Sequence, residues 1–294
     1  MSDPYPAFLD EIAASVDGFL SRYLQAVDLP DKLRKSIEYA LLGGGKRLRP
    51  CLIILCCEAV GGRREVALGP AAAMELIHAF SLVHDDLPAM DDDDLRRGRP
   101  TLHIHAGEAL AILAGDAMMP LAFSLIYRTE GLSAKATHRL IRELAEATLA
   151  MIAGQVYDTL GGFPEGLSSR DRLDLIHRNK TGALMRAACR MGAICGRAGE
   201  ETLDAITRYG EAVGLMFQVV DDLLDVTQST EHLGKAAGKD REAGKLTFPG
   251  LLGIPASREE VRRLRDEAVM ALEPLGKAAG PLRDLCNYLA VRTK

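Results

Sequence analysis

Apolar residues recur at helical spacing along nearly the whole chain, and no segment reads convincingly as a strand. The first run covers about Tyr5 to Val27, with Pro30 after it. The next spans Asp31 to Leu42 and stops at Gly43, Gly44 and Gly45. A third opens near Pro50, a good first-turn residue, and closes at Gly61 and Gly62. Pro70 to Leu87 is apolar on all sides until its end, which predicts a central buried helix. Further helices are predicted over Glu108 to Tyr127, Ala134 to Tyr157, Ser169 to Gly196, Glu200 to Val226, Arg258 to Glu273, and Pro281 to Arg292.

Polar loops fall at about Asp91 to His105, Gly161 to Ser168, and Ser229 to Lys245. No repeat, low-complexity tract or Pro/Ser-rich linker divides the chain, so residues 1–294 read as a single all-α domain. Composition agrees: 7 Phe, 7 Tyr and no Trp against abundant Ala, Leu, Glu and Arg favour helices over sheets. The net charge of −5 argues against a nucleic-acid binder, which would carry a basic surface. The cysteines (Cys51, Cys56, Cys57, Cys189, Cys195 and Cys286) lie in apolar helical patterns without a CxxC pair, as buried free thiols would. The N-terminus lacks the basic-then-apolar order of a signal peptide. The nearest candidate for a membrane span, Ala109 to Tyr127, is interrupted by Asp116 and Pro120. A cytoplasmic chain with no stable membrane insertion is expected.

Two acidic clusters change the picture. HDDLPAMDDDD contains Asp85, Asp86, Asp91, Asp92, Asp93 and Asp94; QVVDDLLD contains Asp221, Asp222 and Asp225. Each follows an apolar helical segment, where unpaired carboxylates are costly to desolvate, repel one another and oppose the helix dipole. A hard cation resolves all three, and magnesium typically takes one or two carboxylates plus substrate phosphates. Asp221, Asp225 and Gln218 share one helix face by spacing, and His78 lies two turns below Asp85. Pro88 ends or distorts the helix between Asp85 and Asp91, which offers Asp91 a way to turn back. Asp92 to Asp94 fit equally well as solvated or capping residues. His84 carries no assigned role, and Asp116 reads as a paired structural carboxylate.

Local basic groups supply the complement. GGGKRLRP holds Lys46, Arg47 and Arg49 after three glycines, LRRGRPT holds Arg96, Arg97 and Arg99, and Lys235, Lys239 and Lys245 follow the second acidic cluster. Glycines let backbone N–H groups approach a phosphate, and arginine adds bidentate charge-assisted bonds. Carboxylates followed by arginines on a short loop suit a site that holds a magnesium diphosphate from both sides.

HDDLPAMDDDDLRRGRPT, with GGGKRLRP before it and HRNKTGAL, FQVVDDLLD and LGK after it, resembles a bacterial-type farnesyl diphosphate synthase, a trans-isoprenyl diphosphate synthase. The resemblance runs in order from about residue 38 to 252. It implies helices around a deep central cavity, usually in a homodimer. It also implies magnesium, three ions with substrate bound, held by Asp85 and Asp91 and by Asp221 with Asp222 and Asp225. Gly45, Lys46, Arg49, His78 and Arg97 match the isopentenyl diphosphate site. Arg96, Lys180, Thr181, Gln218, Lys235 and, more weakly, Lys245 match the allylic diphosphate site. Arg96, Lys180, Thr181 and Gln218 are the expected catalytic residues.

The expected chemistry is ionisation of the allylic diphosphate, attack by the isopentenyl double bond, and loss of a proton to the released diphosphate. His78 then serves as a phosphate donor rather than an acid–base group. Phe80 lies about 7.5 Å below Asp85 along the helix, where family members with an aromatic tend to stop at fifteen carbons. The expected product is farnesyl diphosphate, with geranylgeranyl diphosphate as the alternative. An offset of about 140° from Asp85 also allows Phe80 to be plain core packing. A terpene cyclase, a non-catalytic helical protein and a two-metal phosphate hydrolase are the rival classes; two acidic motifs together with the isopentenyl-site basics disfavour the first.

Overall fold

A computed structural model of the chain describes residues 6–227 and 245–292. Its order is α1 (Phe8–Ala26), α2 (Asp31–Leu41), α3 (Leu48–Ala59), α4 (Arg64–Asp85), a hairpin of β1 (Leu95–Arg96) and β2 (Arg99–Pro100), α5 (Leu102–Ala106) and α6 (Glu108–Tyr127). There follow α7 (Ala134–Leu160), α8 (Ser169–His177), a π-helical turn (Arg178–Gly182), α9 (Ala183–Cys195) and α10 (Glu200–Thr227). The chain closes with α11 (Phe248–Leu252), α12 (Ile254–Ala271), a 3-10 segment (Glu273–Ala279) and α13 (Gly280–Val291).

One continuous apolar core joins these helices. Helix α4 is its centre, buried from Ala67 to Val83 and packed against α3 and α6. It starts at Arg64 rather than Pro70, so Pro70 sits buried inside it. Burial of the surrounding turns outweighs the one hydrogen bond that proline cannot make. The six cysteines are buried and unpaired, and burial pushes Cys51 and Cys286 up to about 12, which suits packing rather than reactivity.

Two further departures bear on the site. The segment expected as one helix from Ser169 to Gly196 is two helices joined by the π-helical turn that carries Lys180 and Thr181. The loop expected over Asp91 to His105 contains the hairpin and α5. Arg97 and Gly98, both at positive φ (53° and 74°), form the two-residue turn between strands too short to show an alternating pattern. By length and composition α4 and α6 could each cross a membrane, but 72% of the α4 window is buried in protein against 44% for α6. The outer face of α6, with Ile112 and Leu113, is exposed.

Candidate active site

Helix α4 delivers Asp85 at its C-terminal end, and the chain then doubles back. The Asp91 N–H donates to the Asp85 carbonyl at 2.8 Å, so the chain turns back at Pro88 and brings Asp91 beside Asp85, the route that Pro88 offered. Burial raises the Asp85 carboxyl to about 6; Lys180 opposes the shift, and Asp91 and Asp86 add to it. Asp86 is buried and accepts from Arg96 Nε at 2.8 and 2.9 Å, and from Nη2 at 2.5 Å. Arg96 is thus anchored beside the carboxylates rather than free to swing. Asp92 and Asp94 are exposed; the Asp94 carbonyl accepts the Thr101 N–H at 2.9 Å, and Asp93 lies 3.9 Å from Arg96.

The hairpin turn places Arg97 against the glycine loop, where it donates to the Gly44 carbonyl and packs on Gly45. Arg49 and His78 line the main cavity, and the Arg49 Nε has no hydrogen-bond partner. Burial lowers the Arg49 pKa despite Glu75 and Asp221. Burial and the guanidinium groups of Arg49, Arg97 and Arg96 push His78 well below its ordinary range. It is therefore a neutral imidazole, with one N–H to donate. So concentrated a positive field disfavours itself and calls for an anion. Arg47 adds to this field only from a distance, because it is buried on Asp17 (2.7 Å) and Glu75 (2.6 Å). Lys46 is exposed and outside the cavity wall.

Across the cavity, the Lys180 ammonium donates to Asp158 Oδ2 at 2.6 Å. The Thr181 hydroxyl donates to Gln218 Oε1 at 2.8 Å, and Gln218 Nε2 donates to Asp222 Oδ1 at 2.9 Å. Lys245 lies 3.6 Å from Asp158 and 3.8 Å from Asp91, so it bridges the two walls. Asp221 pairs with Arg292, whose guanidinium also covers the Phe217 ring at 4.2 Å. Asp225 is buried on the same helix. Lys235 and Lys239 lie outside the described residues.

Arg49, His78, Asp85, Lys180 and Thr181 line a cavity of about 710 Å³ whose walls also include Phe80, Met119 and Met151. Charge at the mouth and methionine and aromatic side chains below fit a molecule with an anionic head and an apolar tail. A model of the polyprenyl synthetase family matches residues 30–273. The chain belongs to the polyprenyl synthetase family.

This polyprenyl synthetase is 48% identical over 272 residues to geranylgeranyl pyrophosphate synthase 11, chloroplastic, of Arabidopsis thaliana, covering 90% of this chain and 75% of that one. It is 46% identical over 269 residues to a dimethylallyltranstransferase of Fischerella ambigua (strain UTEX 1903), covering 90% and 77%. The solved apo structure of an FPP/GFPP synthase from Zymomonas mobilis superposes with a TM-score of 0.84 at 33% identity, over 96% of this chain and 97% of that one.

Sequence reasoning missed three residues of this polyprenyl synthetase site. Asp158 holds Lys180 and Lys245, and Gln155, in the cavity wall, has no hydrogen-bond partner on either amide atom. Their three-residue spacing on one face of an otherwise apolar stretch was the available signal. His177, buried with its Nε2 3.4 Å from Asp222 Oδ2, gave none. Asp116, expected to be a paired carboxylate, is instead exposed on α6. His84 contacts the Ile112 carbonyl at 3.1 Å and so ties α4 to α6.

Proposed function

We propose that the chain joins isopentenyl diphosphate head to tail to allylic diphosphates and, by repeated addition, carries the product to geranylgeranyl diphosphate. The observation behind this reading is the cavity with Asp85 at its mouth, Lys180 and Thr181 on the facing wall, and apolar side chains below. The twenty-carbon product is favoured over the farnesyl expectation by the names of relatives at 46–48% identity. Phe80 in the cavity wall supports the farnesyl product as a second reading.

The residues fit magnesium. Asp85 and Asp91 are brought together, and burial raises the Asp85 pKa so that a nearby cation would be favourable. Among the described residues no three His, Cys, Asp or Glu side chains converge on one point, so an ion there would have to complete its shell with water and substrate phosphates. Of the three ions expected with substrate bound, Asp85 and Asp91 would hold those on one wall, and Asp221 with Asp225 the one on the other. Bound there, magnesium would neutralise the departing diphosphate.

The chain's own residues do the rest. Arg49, Arg97 and the neutral His78 bind the isopentenyl diphosphate, with Gly45 and Lys46 at the rim. Lys180, Arg96 and Lys245, together with Lys235, meet the allylic diphosphate as negative charge develops on it. Thr181 and Gln218 turn the negative ends of their dipoles towards the allylic cation, which is electrostatic stabilisation by preorganised groups. The released diphosphate takes the proton, so no side-chain base is required. A homodimer is part of the proposal, supported by the exposed apolar residues Leu113, Leu149 and Leu160 on α6 and α7. The six buried unpaired thiols suit the reducing cytoplasm.

The test is product analysis. Protein, magnesium and isopentenyl diphosphate are incubated with five-, ten- or fifteen-carbon allylic primers, and products are dephosphorylated and sized. A twenty-carbon alcohol from all three primers is expected. A fifteen-carbon end product would transfer the claim to farnesyl synthesis. A released hydrocarbon, or no condensation by folded protein, would sink it.

A further inference from the structure

We infer that Asp222 is a positioning residue for the cation-facing dipoles, not a metal ligand. The inference rests on the prenyltransferase reading and deepens it. Asp222 is only 2% exposed, and both carboxylate oxygens are taken by the protein. Oδ1 accepts from Gln218 Nε2 at 2.9 Å, and Oδ2 accepts from the Phe248 N–H at 2.9 Å. The His177 ring, 3.4 Å from Oδ2, stacks on Phe248 with ring centres 5.4 Å apart, which closes that side.

A side-chain amide has a donor end and an acceptor end, and a carboxylate offers only acceptors. Asp222 therefore dictates that the nitrogen of Gln218 points at it and the oxygen points away. That oxygen accepts the Thr181 hydroxyl at 2.8 Å. The single hydroxyl hydrogen of Thr181 is spent on this bond, so the lone pairs of Thr181 remain for the cavity that it lines. Without Asp222 the amide is free to turn over and present its N–H₂ to Thr181, reversing a dipole where a cation forms. Through Phe248 the same carboxylate fixes the chain just beyond Lys245, which spans Asp91 and Asp158. Asp222 thus sets the polarity of one wall and the position of one cation, although it does not itself line the cavity.

A polarity swap tests this. Asp222→Asn has one oxygen for two donors and should lower kcat about 10-fold, since it misorients the stabilising groups instead of removing them. Gln218→Glu sets two carboxylates face to face and should lower kcat by as much or more. Combining the two restores every bond: the asparagine oxygen accepts from Phe248, its nitrogen donates to the glutamate, and the other glutamate oxygen faces Thr181. The double variant should therefore exceed Gln218→Glu alone by about 10-fold, a non-additivity expected only of directly coupled residues.

A second readout needs no turnover. The magnesium concentration for half-maximal binding of an unreactive allylic thiolodiphosphate should change by less than about 3-fold in Asp222→Asn, because no ion ligand is lost. Circular dichroism confirms folding, and the swap can be read from the double variant if a single one is unstable. No recovery in the folded double variant would overturn the inference. So would a large rise in the magnesium requirement of Asp222→Asn with kcat restored at saturating metal. Failure of wild type to condense would sink the proposed function with it; condensing wild type with unaffected variants would sink this inference alone.

Discussion

Phe80 meets His84 edge to face, with ring centres 5.4 Å apart, and both rings line the cavity that opens at Asp85. His84 is held in turn by the Ile112 carbonyl, so the Phe80 ring is braced against α6. On an ideal helix Phe80 and Asp85 point about 140° apart. A wide cavity nevertheless takes in both, because it runs down the α4 wall rather than along one stripe of it. Phe80→Ala should therefore lengthen the product by at least one isoprenoid unit, whatever the wild-type end point, read by chromatography of the dephosphorylated products. An unchanged profile would reduce Phe80 to core packing.

Lys180 and Lys245 converge on Asp158, which is 10% exposed. Burial pushes the Asp158 carboxyl up, but Lys180 and Lys245 outweigh it and hold the pKa below the usual range. Asp158→Asn removes the charge that Lys180 and Lys245 share and leaves Asp91, 3.8 Å from Lys245, as the nearest carboxylate to the pair. We expect kcat to fall about 10-fold through misplacement of Lys180, and stability to fall by about 1–3 kcal/mol. Inorganic diphosphate with magnesium should recover much of the stability, measured by thermal unfolding, since it supplies the missing negative charge. A variant as stable and as active as wild type would show that Lys180 is placed by its backbone alone.

That ion pair marks where the sequence was legible and where it was not. Asp85 and Asp91 stood out as carboxylates at the end of an apolar run, whereas Lys180 and Thr181 were named by the resemblance of HRNKTGAL; the structure brings Asp85, Lys180 and Thr181 to one cavity, with Asp91 beside Asp85. The double-back at Pro88 was also legible, since proline stops a helix by local chemistry. Asp158 and Gln155 were not singled out, because one carboxylate and one amide on a long amphipathic helix look like its solvent face. Their meaning depends on α7 lying against the π-helical turn, a tertiary fact. The polarity of Asp222 was hidden likewise: adjacent aspartates look equivalent on paper, but a helix sends neighbours about 100° apart. Asp221 meets Arg292 while Asp222 turns towards Phe248.

Asp85 makes stability depend on pH in a defined direction. Burial raises its carboxyl to about 6, above the range of an unfolded chain. Its favourable contribution is complete below about pH 4 and is lost as pH rises through about 6, because the folded state then holds a charge that it disfavours. Asp85→Asn should therefore stabilise the metal-free protein at pH 7.5, by on the order of 2 kcal/mol, with little effect near pH 4. Urea unfolding at both pH values measures this. The same proton competes with magnesium, so the metal requirement of wild type should rise as pH falls through about 6. Equal effects of the substitution at both pH values would show that desolvation does not govern this carboxyl.

Gly154 offers a test of the π-helical turn itself. A Cβ there would lie 2.3 Å from the Lys180 backbone nitrogen and 2.7 Å from its Cα, closer than atoms can approach. Helix propensity alone would make Gly154→Ala stabilising by about 1 kcal/mol. The obstacle is backbone, which cannot swing aside like a flexible side chain, so α7 and the turn must separate. Overpacking of this kind costs about 1–3 kcal/mol, which cancels or exceeds the propensity gain. The larger effect should be kinetic, because displacement of the turn moves Lys180 off Asp158 and Thr181 off Gln218 together. We expect kcat to fall about 10-fold or more for a stability change under about 2 kcal/mol. Steady-state kinetics beside urea unfolding would separate the two, and a stabilised, fully active variant would mean that the close contact of α7 with the turn is not needed to place Lys180 and Thr181.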